Sequence, residues 1–412
     1  MKPWGSSLVA LRHRNFRLLW TGQLLSITGS MMQMAAILWH VSLLAPPDRK
    51  GLALGMVGLV RVLPIIALAA IGGVFADARD RRRLMLATQT VLAILAAVLA
   101  LLTLSGHAAL WSVYLLAGLT AGAAAFDGPA RQSLFPNLVP REHLSNAISL
   151  NTILFQIASV AGPSLGGIVI AVLGVGWVYA LNAVSFLAVI FALLMMRDVP
   201  QRTPEETSAV SFRAAVEGFR FVFRAPLIRS SMLLDFFATF FSSATALLPI
   251  FAQDILHTGP RAFGWLYAST SIGALVAGLA MVRGIDRIHQ RGRVLFAAVF
   301  AYGLATVAFG LSRTFWLTFL CLALVGATDM VSTVLRNVVR QLSTPDALRG
   351  RMTSINMMFF MGGPQLGELE AGLVAQAFTA PISVVSGGVL CVLATGWLAA
   401  ATPELRRYRR DA

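Results

Sequence analysis

Charge is scarce in this chain: only 12% of its 412 residues are Asp, Glu, Lys or Arg, where a soluble domain carries about a quarter. So little charge cannot cover a water-facing globule of this size, which excludes a soluble fold for most of the chain. Cysteine is nearly absent as well. The two present, Cys321 and Cys391, both lie in apolar runs, so neither a disulfide framework nor a metal site is expected. Histidine is sparse and scattered: His13, His40, His107, His143, His257 and His289 fall in different runs or loops. They form no convergent set of the kind that an integral membrane enzyme needs, so no catalytic residue, metal or cofactor is expected.

What the chain does have is 57% hydrophobic residues, arranged in long runs. Stretches near the ~20 residues that span a bilayer core number about twelve. They cover 15–44, 51–75, 84–105, 108–125, 147–173, 175–196, 227–251, 263–282, 294–311, 316–335, 352–378 and 382–401. An even number of spans puts both termini on one side. About 28 of the 33 Lys and Arg residues fall in the two tails and alternate loops, which marks that side as cytoplasmic. Arg49, Lys50, Arg261 and Arg313 fall in the opposite loops, and Arg61 lies within a span. The net charge of +15 is thus used by topology, and no nucleic-acid partner is expected. Trp39, Trp111, Trp177, Trp265 and Trp316 sit at the outer ends of spans, as interfacial anchors do. The basic start before the first run resembles a signal peptide, but the run is too long for one and reads as a first helix.

The most polar long segment divides the chain near its middle, giving an N-terminal half (1–197), a cytoplasmic linker (198–226) and a C-terminal half (227–412). In the linker Phe212, Val216, Phe219 and Phe223 recur at helical spacing, each followed by a charge. That pattern suits either a helix lying on the inner leaflet or a solvated connector. The halves repeat one another. Segment 140–151 matches 345–356, and the block at 162–167 is answered at 363–368. Between the second and third runs, Gly73 and Asp77 precede Arg79, Arg81, Arg82 and Arg83. A carboxylate and an arginine cluster in a turn between two apolar helices belong at a membrane surface.

Two six-helix halves, the basic linker, the 73–83 loop and the 162–167 block together resemble the major facilitator superfamily over the whole chain. The run from Asp127 to Arg131, Pro136, the step from Leu348 to Arg351 and the closing residues from Pro403 to Tyr408 are similar to its bacterial branch of enterobactin exporters and macrolide efflux pumps. Ala78 and Asp80 depart from the usual basic and glycine residues of the loop. The resemblance implies an all-α integral membrane fold of 12 transmembrane helices in two pseudo-symmetric halves. It also implies an inner gate in which Gly73 and Asp77 meet the N-terminal end of helix 11, with Arg81 or Arg82 tying the loop down. The run at 158–167, with Gly162, Pro163, Gly166 and Gly167, resembles the helix 5 motif of exporters that exchange substrate for protons. Physically it is a close-packing segment with a missing backbone donor, either a bendable seam between the halves or plain packing.

Ionisable groups inside a bilayer are costly unless they face water or a partner, which makes them functional candidates. Asp235, Asp329, Glu368 and Glu370 are the candidates for proton coupling, and Arg61 with Glu368 or Glu370 for an outer latch at matching depth in helices 2 and 11. The plainer readings are carboxylates bonded to hydroxyl or backbone groups and an arginine that snorkels. Asp127 lies near the inner end of helix 4, within reach of headgroups or Arg131. Thr239 and Ser242 share a stripe with Asp235, and Ser332 shares one with Asp329. In helix 1, Gln23, Ser26, Ser30, Gln33 and His40 lie on one arc, offering neutral hydrogen-bonding groups to the same cavity.

The expected function is proton-coupled efflux of an amphipathic small molecule, such as a siderophore or drug, across a bacterial inner membrane with both termini cytoplasmic. A monomer would carry it out by alternating access, with the proton gradient as energy source and substrate, protons and the lipid bilayer as its partners. A lysophospholipid flippase and an importer are the alternatives of the same fold. A non-transporting receptor or scaffold is the alternative from another class.

Overall fold

The computed structural model describes residues 8–78, 80–197, 220, 222–345 and 349–409, without the side chains of 69–78, 133, 244, 349–351, 353–355, 357, 358, 360 and 361. Among the described residues there is no strand. The first half runs α1 (Arg14–Leu44), α2 (Lys50–Ala78), α3 (Arg81–Leu104), α4 (Leu110–Leu134), α5 (Leu144–Leu173) and α6 (Val175–Met195). The second runs α7 (Pro226–Phe241), α8 (Pro260–Gly284), α9 (Arg291–Leu311), α10 (Phe315–Ser343), α11 (Arg349–Ala377) and α12 (Ala380–Ala401), followed by the single turn α13 (Pro403–Arg406). Eleven membrane-crossing candidates arise by length and apolarity among the described residues, and the less apolar α11 brings the long helices to twelve.

Local chemistry sets the ends of these helices. Asp80 caps α3, its side chain accepting from the N–H groups of Arg82 (2.9 Å) and Arg83 (3.3 Å). Gly174, at φ +95°, turns α5 directly into α6, a backbone conformation that disfavours a side chain. Pro226 and Pro260 open α7 and α8, where a missing N–H costs nothing. Two expectations change here. Gly73 and Asp77 fall within α2, which runs to Ala78, rather than in a turn; their side chains, and linker residues Phe212, Val216 and Phe219, lie outside the described residues. The span at 227–251 is not one helix. α7 ends at Phe241, and the chain resumes as a 3-10 turn (Ala244–Leu247), a short helical turn (Leu248–Ile250) and a π turn (Phe251–Ile255).

Two compact units result: the described residues of Met1–Leu44 with Leu63–Thr207, and those of Ala45–Val62 with Ser208–Ala412. The division passes through α2 beside Pro64, whose ring removes a backbone donor and crowds the preceding turn. In the first unit α1 packs on α5 and α6, and α3 on α4 and α6. In the second α7 packs on α11 and α12, and α9 on α10 and α12, which is the same set with six added to each number. Sequence repetition thus becomes a repetition of helix contacts. Exposed leucines, valines and phenylalanines cover the outer faces, as lipid-facing helices require, and Trp111, Trp177, Trp265 and Trp316 are exposed with them. Trp39 is the correction: it is buried and packs rather than anchors.

Glycines carry the closest crossings. A Cβ on Gly326 of α10 would overlap the carbonyl oxygen of Thr270 in α8, and one on Gly273 of α8 would overlap that of Ala323 in α10. Backbones this close gain van der Waals contact that membrane helices need in the absence of a hydrophobic drive between them. Gly326→Ala is therefore expected to destabilise the purified protein by about 1–3 kcal/mol, as overpacking does. Thermal unfolding in detergent measures this, with Gly396→Ala, whose added methyl meets nothing within 4 Å, expected to melt like the wild type.

Candidate functional site

Within the second unit, the sequence pattern that makes α10 amphipathic carries two arginines past the expected end of its span. Arg336 and Arg340, read from the sequence as loop residues, lie in the last turns of α10 and are buried. Arg336, only 1% exposed, places Nη2 2.8 Å from Asp235 Oδ1 of α7 and 3.6 Å from Asp329 Oδ1 two turns earlier on α10. It donates through Nη1 to Ser332 Oγ (2.7 Å) and through Nη2 to Thr333 Oγ1 (2.9 Å). Arg340 lies 4.0 Å from the second Asp235 oxygen and donates to Asn337 (2.6 Å) and, across to α11, to Asn356. Asp235 Oδ1 has no aligned hydrogen-bond donor, so its contact with Arg336 is ionic rather than directional.

The sequence thus marks both aspartates as candidates for proton coupling but not the cation between them. The missing signal was the spacing of Arg336 and Arg340, one turn apart and in line with Asp329 and Ser332, which the hydropathy boundary at Leu335 concealed. Ser332 is corrected too: its hydroxyl serves Arg336 and is buried, so it does not line open space. The two carboxylates differ in setting. Asp235 is buried on all sides, whereas the Asp329 side chain is 44% exposed and faces a hollow.

That hollow, about 160 Å³, lies where α7 breaks, between α7, α8, α9 and α10. Thr239, Ser242, Ser243 and Thr306 contribute hydroxyls, and Phe309, Leu322 and Val325 contribute an apolar wall. Most of these hydroxyls have already given their proton to backbone: Thr239 to Asp235 O (2.8 Å), Thr306 to Tyr302 O (3.0 Å) and Ser243 to Pro364 O (2.8 Å). They therefore present lone pairs to the space they border. The break itself is held by α11 and α12, for a Cβ on Gly367 or Gly387 would strike the carbonyl oxygens of Phe240 and Phe241. Irregular backbone at membrane depth is tolerated where it borders a cavity.

A second constellation in this unit joins the N-terminal half of α2 to α11. Gly51, Gly55 and Gly58 form a ladder against Gly372, Gln365 and Glu368: a Cβ on Gly55 would come 2.9 Å from Gly372 Cα, and one on Gly58 2.9 Å from Glu368 Cβ. Gln376 accepts from the Leu52 N–H (3.3 Å) and donates to Asp48 O, and Lys50 Nζ pairs with Asp254 at 3.1 Å. Arg61 lies one turn beyond Gly58, within electrostatic reach of Glu368 and Tyr267. The expected direct latch is corrected: among the described residues neither Glu368 nor Glu370 forms an ion pair with Arg61. Glu368 Oε2 is instead buried with no hydrogen-bond partner.

In the first unit several expectations are revised. Gln33 accepts from Asn182 of α6 (2.8 Å), His40 bonds the Tyr179 hydroxyl (3.2 Å), and Gln23 and Ser26 are buried, so this arc packs within its half rather than opening on a cavity. Ser30 donates to Ser26 O (2.9 Å). Gly162 and Gly166 also face inward. A Cβ on Gly162 would overlap Met31 Cβ of α1, and one on Gly166 would stand 3.4 Å from Met32 Cα, so this face of the helix 5 block is a seam within one half. Pro163 and Gly167 are buried beside them. Asp127 is buried too, accepting from Thr88 (3.0 Å) and Gln89 (2.8 Å), while Arg131 stacks over the Phe155 ring. Arg82 ties α3 to the end of α6 through Leu193 O (2.8 Å) and Leu194 O (3.2 Å); Arg81 is partly buried. Two histidines do meet: His13 and His143 share a hydrogen bond at 2.8 Å.

The comparisons with known proteins span the whole architecture. The family model MFS_3, described as a transmembrane secretion effector, matches residues 5–410. Enterobactin exporter EntS of Citrobacter koseri is 28% identical over 99% of this chain and 97% of its own length, and EntS of Escherichia coli O1:K1 is 27% identical over the same shares. Among solved structures, a bacterial homologue of the human lysosomal transporter Spinster, inward-facing and unoccupied, superposes with a TM-score of 0.74 at 15% identity over 99% of each chain. A bacterial homologue of the iron transporter ferroportin gives 0.67 at 16%, covering 93% of this chain and 98% of its own.

A double-mutant cycle checks the energetics of the buried charges. Asp235→Asn and Arg336→Met are each expected to cost about 3–5 kcal/mol, since each leaves a buried charge uncompensated, and the double variant less than their sum. Thermal unfolding of the purified protein reads the coupling.

Proposed function

The chain belongs to the MFS_3 family of the major facilitator superfamily, and from that membership we propose that it exports an amphipathic small molecule in exchange for protons by alternating access between its halves. It is a multi-pass membrane transporter and not an enzyme. The observation that carries the proposal is the buried Arg336, held between Asp235 and the hollow-facing Asp329. Two carboxylates competing for one guanidinium form a charge balance that one proton can tip. With Asp329 ionised, Arg336 is shared. With Asp329 neutral, Arg336 belongs to Asp235 and the hollow loses the charge that Asp329 gives its wall. Because Asp329 is the more exposed acid, it is the group that exchanges protons with cavity water, and Asp235 fixes the arginine.

The hollow's acceptor hydroxyls beside an apolar wall suit a cargo with N–H or O–H groups on an apolar frame. A siderophore or a drug meets that description, and enterobactin is the cargo named for the relatives. The proton gradient is the energy source; no resident cofactor takes part. The functional unit is a monomer in a bacterial inner membrane; the excess of arginine in the tails and alternate loops supports placing both termini in the cytoplasm. Asp77, Arg81 and Arg82 serve the inner gate. The glycine ladder of α2 on α11, backed by Lys50 with Asp254 and by Arg61 within electrostatic reach of Glu368, is the outer gate.

Transport into inverted membrane vesicles or proteoliposomes tests coupling directly. With a pH difference imposed and enterobactin or ethidium as probe, Asp329→Asn is expected to reduce uphill accumulation at least about tenfold, the loss expected when a proton-transfer group is removed. Equilibrium probe binding should persist. Uphill accumulation at the wild-type rate in both Asp329→Asn and Asp235→Asn would remove these residues from coupling. For the outer gate, Glu368→Gln weakens the pull on Arg61 and is expected to favour opening. Labelling of Thr239→Cys by an impermeant maleimide from outside the cell should rise about threefold or more, a shift within reach of a one-charge change. Unchanged labelling would take the charge out of the gate.

A further inference from the structure

After α12 the chain turns back on itself at the end of the bundle where α9 begins. α13 makes one turn, Leu405 is fully buried, and Tyr408 is buried in the same core as Leu295 and Leu398. The Gly292 N–H donates to Tyr408 O at 3.0 Å, and a Cβ on Gly292 would overlap Leu405 O. Only glycine lets the tail lie there, so the arginines between and beyond these anchors are held in place rather than left to wander. Arg406, Arg407 and Arg409, with Arg293 and Gln290 of the α9 start, surround a hollow of about 330 Å³. Among the described residues no carboxylate lines it.

Four guanidinium groups around one hollow repel one another unless an anion neutralises them. Among the described residues the tail guanidiniums have no side-chain hydrogen bond or ion pair, and Arg293 donates only to Gln290 Oε1 at 3.0 Å. The positive end of α9 lies at the same place, since its N-cap, Gln290, lines the hollow and supplies no side-chain cap. Depth identifies the anion. Trp397, one turn before the end of α12, is 61% exposed among lipid-facing residues such as Leu393, which puts the hollow at the headgroup level. We propose that this hollow binds the phosphate headgroup of an anionic phospholipid, whose chains lie along the exposed end of α12. The guanidiniums supply paired N–H donors matched to phosphate oxygens. This lipid is a bound ligand of the second half, distinct from the cargo, and the inference is independent of the transport mechanism.

Native mass spectrometry of the purified, detergent-solubilised protein tests it, with phosphatidylglycerol, phosphatidylcholine and inorganic phosphate as probes. The wild type is expected to retain one phosphatidylglycerol at least about tenfold more tightly than phosphatidylcholine. The triple variant Arg406→Gln, Arg407→Gln, Arg409→Gln should lose that preference, while Arg12→Gln, Arg14→Gln, Arg17→Gln, which removes the same charge elsewhere, should keep it. If the tail variant is not recovered folded, Arg293→Gln and Arg407→Gln singly are each expected to weaken retention about fivefold. Equal loss in both triple variants would reduce the effect to general surface charge and overturn the site. Displacement of the lipid by equimolar inorganic phosphate would overturn the lipid assignment.

Discussion

A guanidinium that is 1% exposed inside a membrane protein has to be matched by fixed negative charge, and the second half of this molecule is organised around that requirement. Desolvating Arg336 costs several kcal/mol, and the nearby carboxylates can offset this only if the helices that carry them are held in place. Asp235 comes from α7, Asp329 from α10, and Asn356 of α11 holds the neighbouring Arg340. Three helices are therefore fixed by one charge cluster. The break in α7 seven residues after Asp235 places hydroxyls beside it and opens the hollow that Asp329 faces. Charge, helix irregularity and cavity are consequences of one another.

Around that cluster the helices are drawn together by glycine. The pairs Gly162 with Gly166 and Gly363 with Gly367 show the same device in each half, the first on α1 and the second on α7. Close backbone approach makes each half stiff, because side chains that would have to repack are absent from the seams. Motion is then left to the places where seams are interrupted. Pro64 interrupts α2 just past the N-terminal part that belongs to the second unit, and the turn sequence after Phe241 interrupts α7. Stiff bodies with a few soft joints suit a cycle in which a fixed site is exposed by turns.

The solved transporters that share this architecture do so at 15 and 16% identity, so the architecture is compatible with very different linings. What would distinguish this chain is the acceptor-rich wall at Thr239, Ser243 and Thr306 and the acid that faces it. These positions are side-chain choices laid on a common backbone.

The sequence by itself determined that the chain spans a membrane, in how many helices, and as a repeated half. Those properties depend on hydropathy and length, which every residue reports locally. It also marked Asp235, Asp329 and Glu368 as costly groups needing partners, since burial of a charge is legible wherever an acid interrupts an apolar run. The partners were decided by the tertiary structure. Arg336 and Arg340 looked like the start of a basic loop because hydropathy fades at a helix end whether the side chains turn to water or to a buried acid on another helix. Gln33 and His40 shared an arc with other polar groups, yet the neighbour on that arc is α6, with Asn182 and Tyr179 waiting for them. Periodicity tells which residues share a face. What lies opposite that face depends on helices far along the chain, and only their packing can supply it.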